Sequence, residues 1–172
     1  MSQDELYAQA VADFGPALER LARSYEADPD KRRDLLQEIH LAMWRSFGQF
    51  QHQCSLRTWV YRVGHNAGAT HVVRGRRSKS GSFVSLDEVA NVPAPRESNA
   101  AADRRDTLDR IYALIQLLKP LDREVILLYL EGTDAASIGE ITGLSPGNVA
   151  TKIHRIKTVL ASRFNEGGRD DR

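Results

Sequence analysis

The stretch 135–160, AASIGEITGLSPGNVATKIHRIKTVL, constrains the fold more than any other part of this chain. It reads as helix, tight turn, helix. Ile138 and Ile141 give the first helix an apolar face, and Gly139 is small enough for close helix contact. Gly143 can take the left-handed conformation that ends a helix. Leu144 is expected to plug the corner. Ser145 then stands as N-cap, with Pro146 at the first helical position, where its missing N–H costs no bond.

The second helix sorts its residues by face. Val149, Ile153, Ile156 and Leu160 form one apolar stripe. Opposite them lie Asn148, Thr151, Lys152 and Arg155, with His154 at the margin. From Gly147 to Arg163 there are four Lys/Arg and no acid. A solvated helical hairpin could carry such a face. The acid-free second helix favours a DNA major groove, where Asn, Thr and Arg reach base edges and Lys meets phosphate.

The formal net charge of +1 conceals a second basic run, Arg74, Arg76, Arg77 and Lys79, and an acid-rich segment with Glu97, Asp103, Asp106 and Asp109. Two basic patches on a nearly neutral chain suggest nucleic acid met at two places. The lone cysteine, Cys54, excludes an internal disulfide and predicts a reducing compartment. The N-terminus is polar, unlike a signal peptide, and the longest apolar run, Val125–Leu130, is too short to span a bilayer. A cytoplasmic chain without membrane insertion is expected.

Nearly every segment has helical period. Asp4–Ala12 and Pro16–Tyr25 read as two helices broken at Gly15-Pro16, with Leu6, Ala10, Phe14, Leu18 and Leu21 inward. A turn and cap at Asp28–Asp30 precede a helix from Lys31 to about Phe47. That helix buries Leu35, Leu36, Ile39, Met43 and Phe47 and exposes Arg33, Asp34, Gln37, Glu38 and Arg45.

After a polar loop, Ser55 caps a helix from Leu56 to about Val73. Trp59, Val60, Val63 and Ala67 bury one side, while Arg62, Asn66, Thr70 and Arg74 form a polar stripe. Gly64 and Gly68, each weakening the helix by about 1 kcal/mol, signal close packing. Residues 75–102 read as a flexible linker with one short turn at Ser85–Val89. Helix resumes from Asp103 to Leu118, burying Leu108, Ile111, Leu114, Ile115 and Leu118. Pro120 stops it. Asp122 caps a helix through Leu130, which Gly132 ends, and the tail from Asn165 is expected to fray.

Two blocks carry a family resemblance. One runs from Asp34, Gln37, Glu38 and Ile39 through Met43, Trp44, Phe47 and Phe50 to Leu56, Trp59, Tyr61, Arg62, Asn66 and the arginines 74, 76 and 77. The other combines Leu118, Arg123, Val125, Leu130 and Gly132 with the helix-turn-helix. Together they resemble the second and fourth domains of extracytoplasmic-function sigma factors of bacterial RNA polymerase, in family order.

The resemblance implies an all-α fold of two small helical domains joined by a flexible linker, the C-terminal one holding the helix-turn-helix. Residues 1–78 would bind core polymerase and recognise and melt the −10 element. Residues 79–104 would link, and residues 105–166 would read the −35 element. Asp34, Gln37 and Glu38 would dock on the polymerase clamp helices. Arg62, Asn66, Thr70, Arg74, Arg76 and Arg77 would face −10 DNA, and the Gly75–Ser80 loop would receive an extruded base. Asn148, Thr151, Lys152, His154 and Arg155 would face −35 DNA. Trp59 reads as core rather than as a stacking platform.

The implied partners are core RNA polymerase, promoter DNA and an inhibitory partner of the anti-sigma kind. Thr70, Gly64 and His65 depart from the family's usual residues, which implies a promoter preference of its own. The alternative is a stand-alone helix-turn-helix regulator. No constellation for an enzyme is present: His52, Cys54 and His65 lack metal-ligand spacing, and no phosphate loop follows a strand. Neither a metal nor another cofactor is expected.

Overall fold

Ser2 opens the first helix with a reciprocal capping box: its side chain accepts from the Glu5 amide, and Glu5 accepts from the Ser2 amide. The helix, α1, then runs unbroken from Gln3 to Tyr25 in this computed structural model, which describes residues 1–77, 85–91 and 103–166. The expected break at Gly15-Pro16 is absent. Leu6, Ala10, Ala17, Leu18 and Leu21 are all buried on one continuous face, and Pro16 lies exposed on the other, where water can serve the carbonyl left without a donor. Packing along the whole stripe outweighs the local cost of the proline.

Asp28 caps α2 (Pro29–Phe47), accepting from the amides of Asp30 and Lys31, so the helix begins two residues earlier than the sequence suggested. Leu35, Ile39, Met43 and Phe47 are buried as expected, with Leu36 half-buried. Ser55 accepts from the Thr58 amide to start α3 (Leu56–Arg77). This helix outlasts its expected end at Val73. Gly75 to Arg77 are therefore helical rather than loop, while Ser78–Ser80 and the side chains of Arg76 and Arg77 lie outside the described residues.

The three helices pack mutually. The deepest face of α3 comprises Val60, Tyr61, Gly64, His65 and Gly68; Trp59, Val63 and Ala67, expected to be its buried side, are only half-buried. The glycines explain the difference. A Cβ on Gly64 would meet the Leu18 and Leu21 methyls at 3.2–3.3 Å, and one on Gly68 would lie 2.5 Å from the Tyr25 ring. Helix α1 approaches where side chains are absent.

The short helix α4 (Leu86–Val89) has its own capping box from Ser85 and Glu88, and it buries Val89 against Leu114, Ile115 and Ile156. The remaining linker residues, 78–84 and 92–102, fall outside the described set, including Pro93 and Pro95. Helix α5 (Asp103–Leu117) buries Leu114 and Ile115, but Leu108, expected inside, is exposed. Pro120 opens α6 (Pro120–Leu130) rather than merely stopping α5. Asp122 does not cap it: the N-cap is Lys119, which makes no side-chain cap bond. Arg123 instead binds the end of α5, its guanidinium donating to the carbonyls of Leu118 and Gln116.

Asp134 caps α7 (Ala135–Thr142), Gly143 ends it at φ +80°, and Ser145 accepts from the Asn148 amide at the start of α8 (Pro146–Glu166). Gly139 serves the turn rather than a helix crossing, because a Cβ there would lie 2.6 Å from the Leu144 carbonyl oxygen. Asn165 and Glu166 are helical; the tail beyond them lies outside the described residues. Helices α6, α7 and α8 pack together, and α1 and α3 contact α5, α6 and α7 across the middle of the molecule.

Candidate nucleic-acid interface

The turn geometry at Gly143 and Ser145 decides which way α8 faces. Val149 and Ile156 are buried, Ile153 and Leu160 half-buried, so the opposite side must be free. Asn148, Thr151, His154 and Arg155 are exposed there. The Thr151 hydroxyl donates to the Gly147 carbonyl, which leaves its methyl and an oxygen lone pair outward. Lys152 behaves differently. It is half-buried, and its Nζ lies 2.6 Å from a carboxylate oxygen of Asp122 on α6.

On α3, Asn66, Thr70 and Arg74 share one exposed face. The Thr70 hydroxyl donates to the Asn66 carbonyl, and Arg74 lies 3.6 Å from Glu38 of α2. Arg62, the first member of the same stripe, is turned toward the second half of the chain. Its Nη2 donates at 2.6 Å to the carbonyl of Glu140, in the last turn of α7. Side chains of both expected functions meet in an open groove of about 490 Å³ between α2 and α3, whose lining includes Glu38, Arg45, Asn66, Thr70 and Arg74. Asp34, Gln37 and Glu38 are exposed on α2.

Sequence reasoning missed two residues, of which Leu41 belongs to this surface. Leu41, 47% exposed, lies one helical turn beyond Glu38 and adds an apolar patch to the polar row. Its three-residue spacing from Glu38 was the available signal. Arg57, which no motif singled out, donates to the Glu131 carbonyl and the Thr133 hydroxyl.

Behind the α3 stripe, the Tyr25 hydroxyl and His65 Nδ1 pair at 2.9 Å in a buried site, and burial pushes the imidazole down to about 3. His65 is therefore neutral and structural. His71, on the margin of the stripe, pairs with Glu26 at 2.8 Å. Burial would raise Glu26, but the His71 ring and the Asp28 amide hold it below the ordinary carboxylate range. His40 accepts or donates at 3.1 Å to Tyr7, and burial lowers its pKa. No helix among the described residues is long and apolar enough to cross a membrane.

This arrangement matches known proteins over nearly its whole length. A family model for Sigma-70 region 2 covers residues 10–78, and one for Sigma-70 region 4 covers residues 108–160. The RNA polymerase sigma factor CnrH of Cupriavidus metallidurans is 28% identical over 166 residues, 91% of this chain and 85% of that protein. CarQ of Myxococcus xanthus, also an RNA polymerase sigma factor, is 32% identical over 125 residues, 71% of this chain and 68% of that protein. The solved structure of the sigma factor RpoE with the anti-sigma factor NepR, from Bartonella quintana, superimposes with a TM-score of 0.65 at 23% identity. That superposition covers 96% of this chain and 98% of RpoE and establishes the shared fold.

Proposed function

This chain belongs to the sigma-70 family of RNA polymerase sigma factors, in its extracytoplasmic-function group, and we propose how its residues divide the work of an alternative sigma factor in transcription initiation. Residues 1–78 hold core polymerase and the −10 element, residues 79–104 link, and residues 105–166 hold the −35 element. Asp34, Gln37 and Glu38, with Leu41 beside them, dock on polymerase. Asn66, Thr70 and Arg74 read and hold −10 DNA, joined by Arg62 once it leaves Glu140, and by Arg76 and Arg77. Asn148, Thr151 and Arg155 reach base edges in the −35 major groove, with His154 at the margin and Lys152 on phosphate. The protein acts in the cytoplasm as a non-catalytic subunit and answers to an inhibitory partner, as RpoE does in its complex with NepR.

The carrying observation is that the two family models fall on the two helical groups that present these faces: α2 and α3 in one, α7 and α8 in the other. Nothing in a stand-alone regulator requires Glu38 of α2 and Asn66, Thr70 and Arg74 of α3 to line one groove. The test is run-off transcription with purified core polymerase across a promoter library, with and without the protein. Transcripts should appear only when both are present. Tight, sequence-selective binding of duplex promoter by the protein alone, with no protein-dependent transcript, would favour the stand-alone regulator.

A further inference from the structure

A second groove, of about 350 Å³, lies between α1 and α2, and arginines dominate its walls. Arg20 and Arg23 come from α1, three residues apart and so on one face. Arg32 and Arg33 come from α2, four and three residues before Leu36, which brings all three to one side of that helix. Leu36 and Ala22 supply the apolar part of the lining, and Glu19 is its single acid. None of these residues lines the α2–α3 groove or belongs to α8. The assigned DNA faces and the polymerase row therefore leave this cluster of cations unexplained.

Each guanidinium is fixed by contacts that use only part of it. Arg20 gives Nε and Nη2 to the Glu131 carboxylate, at 2.5 and 2.7 Å. Arg23 contacts Asp109 through Nη2, with its charge 4.4 Å from the centre of the Tyr112 ring. Arg32 gives Nε and Nη2 to the backbone carbonyls of Glu26 and Ala27, at 3.2 and 2.7 Å. Arg33 contacts Asp30 through Nη2. In all four, Nη1 donates to no described residue, which leaves each its two N–H groups. The charges are unequally balanced. Glu131 answers Arg20 firmly, its side chain only 17% exposed. Asp30 and Asp109 are 83% and 64% exposed, where an ion pair contributes little. Arg32 meets neutral carbonyls and, among the described residues, has no carboxylate partner.

Guanidinium forks match the oxygens of phosphate, and the bonds they make to it are charge-assisted and strong. The size of the groove falls near the lower end for small-molecule sites, which run from roughly 300 to 1,000 Å³. Its borders are acidic, with Asp28 and Asp30 at the start of α2 and Asp34 one residue past Arg33. A long polyanion, whether a DNA strand or an acidic peptide, would run from the groove onto these carboxylates. A short one would not. We propose that the groove binds a short oligophosphate, two or three linked phosphates, free or carried on a nucleoside. Arg23, Arg32 and Arg33 donate to its oxygens, Arg20 stands at the edge, and Leu36 and Ala22 form the apolar wall.

Isothermal titration calorimetry of the full chain with inorganic tripolyphosphate, in magnesium-free buffer at fixed ionic strength, tests this. The wild type should show one saturable site per chain. Arg33→Gln and Arg23→Gln should each weaken binding on the order of tenfold, the loss of one charge-assisted donor. The Arg33 side chain is 76% exposed, so its replacement leaves the packing alone, and circular dichroism checks that both variants keep their helicity. Arg104→Gln removes the same charge from an exposed position on α5 outside the groove and should bind as the wild type does. Titration with adenosine and guanosine triphosphates separates the two sources. Tighter binding than tripolyphosphate assigns a nucleotide, whose nucleoside uses the apolar wall, and equal binding assigns the bare phosphate chain.

Absence of saturable binding by the wild type overturns the site. So does a loss in Arg104→Gln equal to that in Arg33→Gln, which would reduce the effect to general attraction between charges. Displacement of tripolyphosphate by duplex DNA or by an acidic peptide at equal charge would make the groove part of a macromolecular interface and overturn it as well. The titration needs no polymerase and no promoter, so a failure of the sigma-factor reading leaves its result standing.

Discussion

Lys152 and Asp122 form the shortest described link between α8 and α6, 2.6 Å from Nζ to carboxylate oxygen, with both side chains half-buried or less exposed. The lysine expected to meet phosphate is thus held at its ammonium group by a carboxylate. To contact DNA it must leave Asp122, and that exchange lowers its net contribution. Asp122→Asn should therefore tighten binding to all promoters alike, within about tenfold, whereas Lys152→Ala should weaken them alike and reduce the salt slope by about one contact. Titrations of the polymerase complex on two unrelated promoters at several salt concentrations check both.

At Gly68 the Tyr25 ring of α1 lies directly against the backbone of α3. A methyl there would sit 2.5 Å from the Tyr25 ring, which is itself buried and hydrogen-bonded to His65. Gly68→Ala should destabilise the protein by about 1–3 kcal/mol despite the better helix propensity of alanine. At Gly15, by contrast, a Cβ meets nothing within 4 Å, and Gly15→Ala should stabilise by up to about 1 kcal/mol. Urea denaturation of the two variants gives opposite signs if α1 is one continuous helix packed as described.

Much of this was legible in the sequence and some of it was not. Gly143 and Ser145 located the turn because left-handed backbone and a side-chain cap each demand particular residues. The stripe of α8 was legible because four large apolar residues repeat on one face. The deep face of α3 was legible only in part: Gly64 and Gly68 signalled the close packing that Leu18, Leu21 and Tyr25 make there, but with His65 they carry no apolar period to mark that face as the buried one. Pro16 misled for a related reason: a local breaker is outweighed by tertiary packing on the far face. The bonds from Arg20 to the Glu131 carboxylate and from Arg57 to the Glu131 carbonyl join residues 111 and 74 positions apart, and no local pattern could announce them.

His65 also sets an acid limit. Its folded pKa, about 3, lies well below the ordinary value of 6.5, so the unfolded chain takes up a proton first as pH falls. The stability it contributes is complete above about pH 6.5 and is lost as pH drops toward 3. The double variant Tyr25→Phe/His65→Leu removes the titration together with its partner. Its melting temperature should fall less steeply than wild type between pH 6.5 and 4; an identical slope would mean that other groups govern acid unfolding.

Glu124 acts in the opposite direction. Burial in α6 raises its carboxyl to about 7, against an ordinary value near 4.5, with the Arg62 charge only partly offsetting the effect. The unfolded chain gives up this proton more readily, so the associated stability is complete below about pH 4.5 and lost as pH rises through 7. Glu124→Gln should raise the melting temperature at pH 8 and change it little at pH 4.5. Differential scanning calorimetry at the two pH values measures the difference directly.

The central claim is that one chain reads two promoter elements with two separate helices. Transcription from a library randomised at both elements, with Asn66→Ala and Arg155→Ala each compared with wild type, tests it most directly. Arg155→Ala should lose on the order of 1–3 kcal/mol of discrimination at one −35 position and leave −10 preference untouched. Asn66→Ala should do the reverse. Two variants that shift the same element, or neither element, would contradict the account.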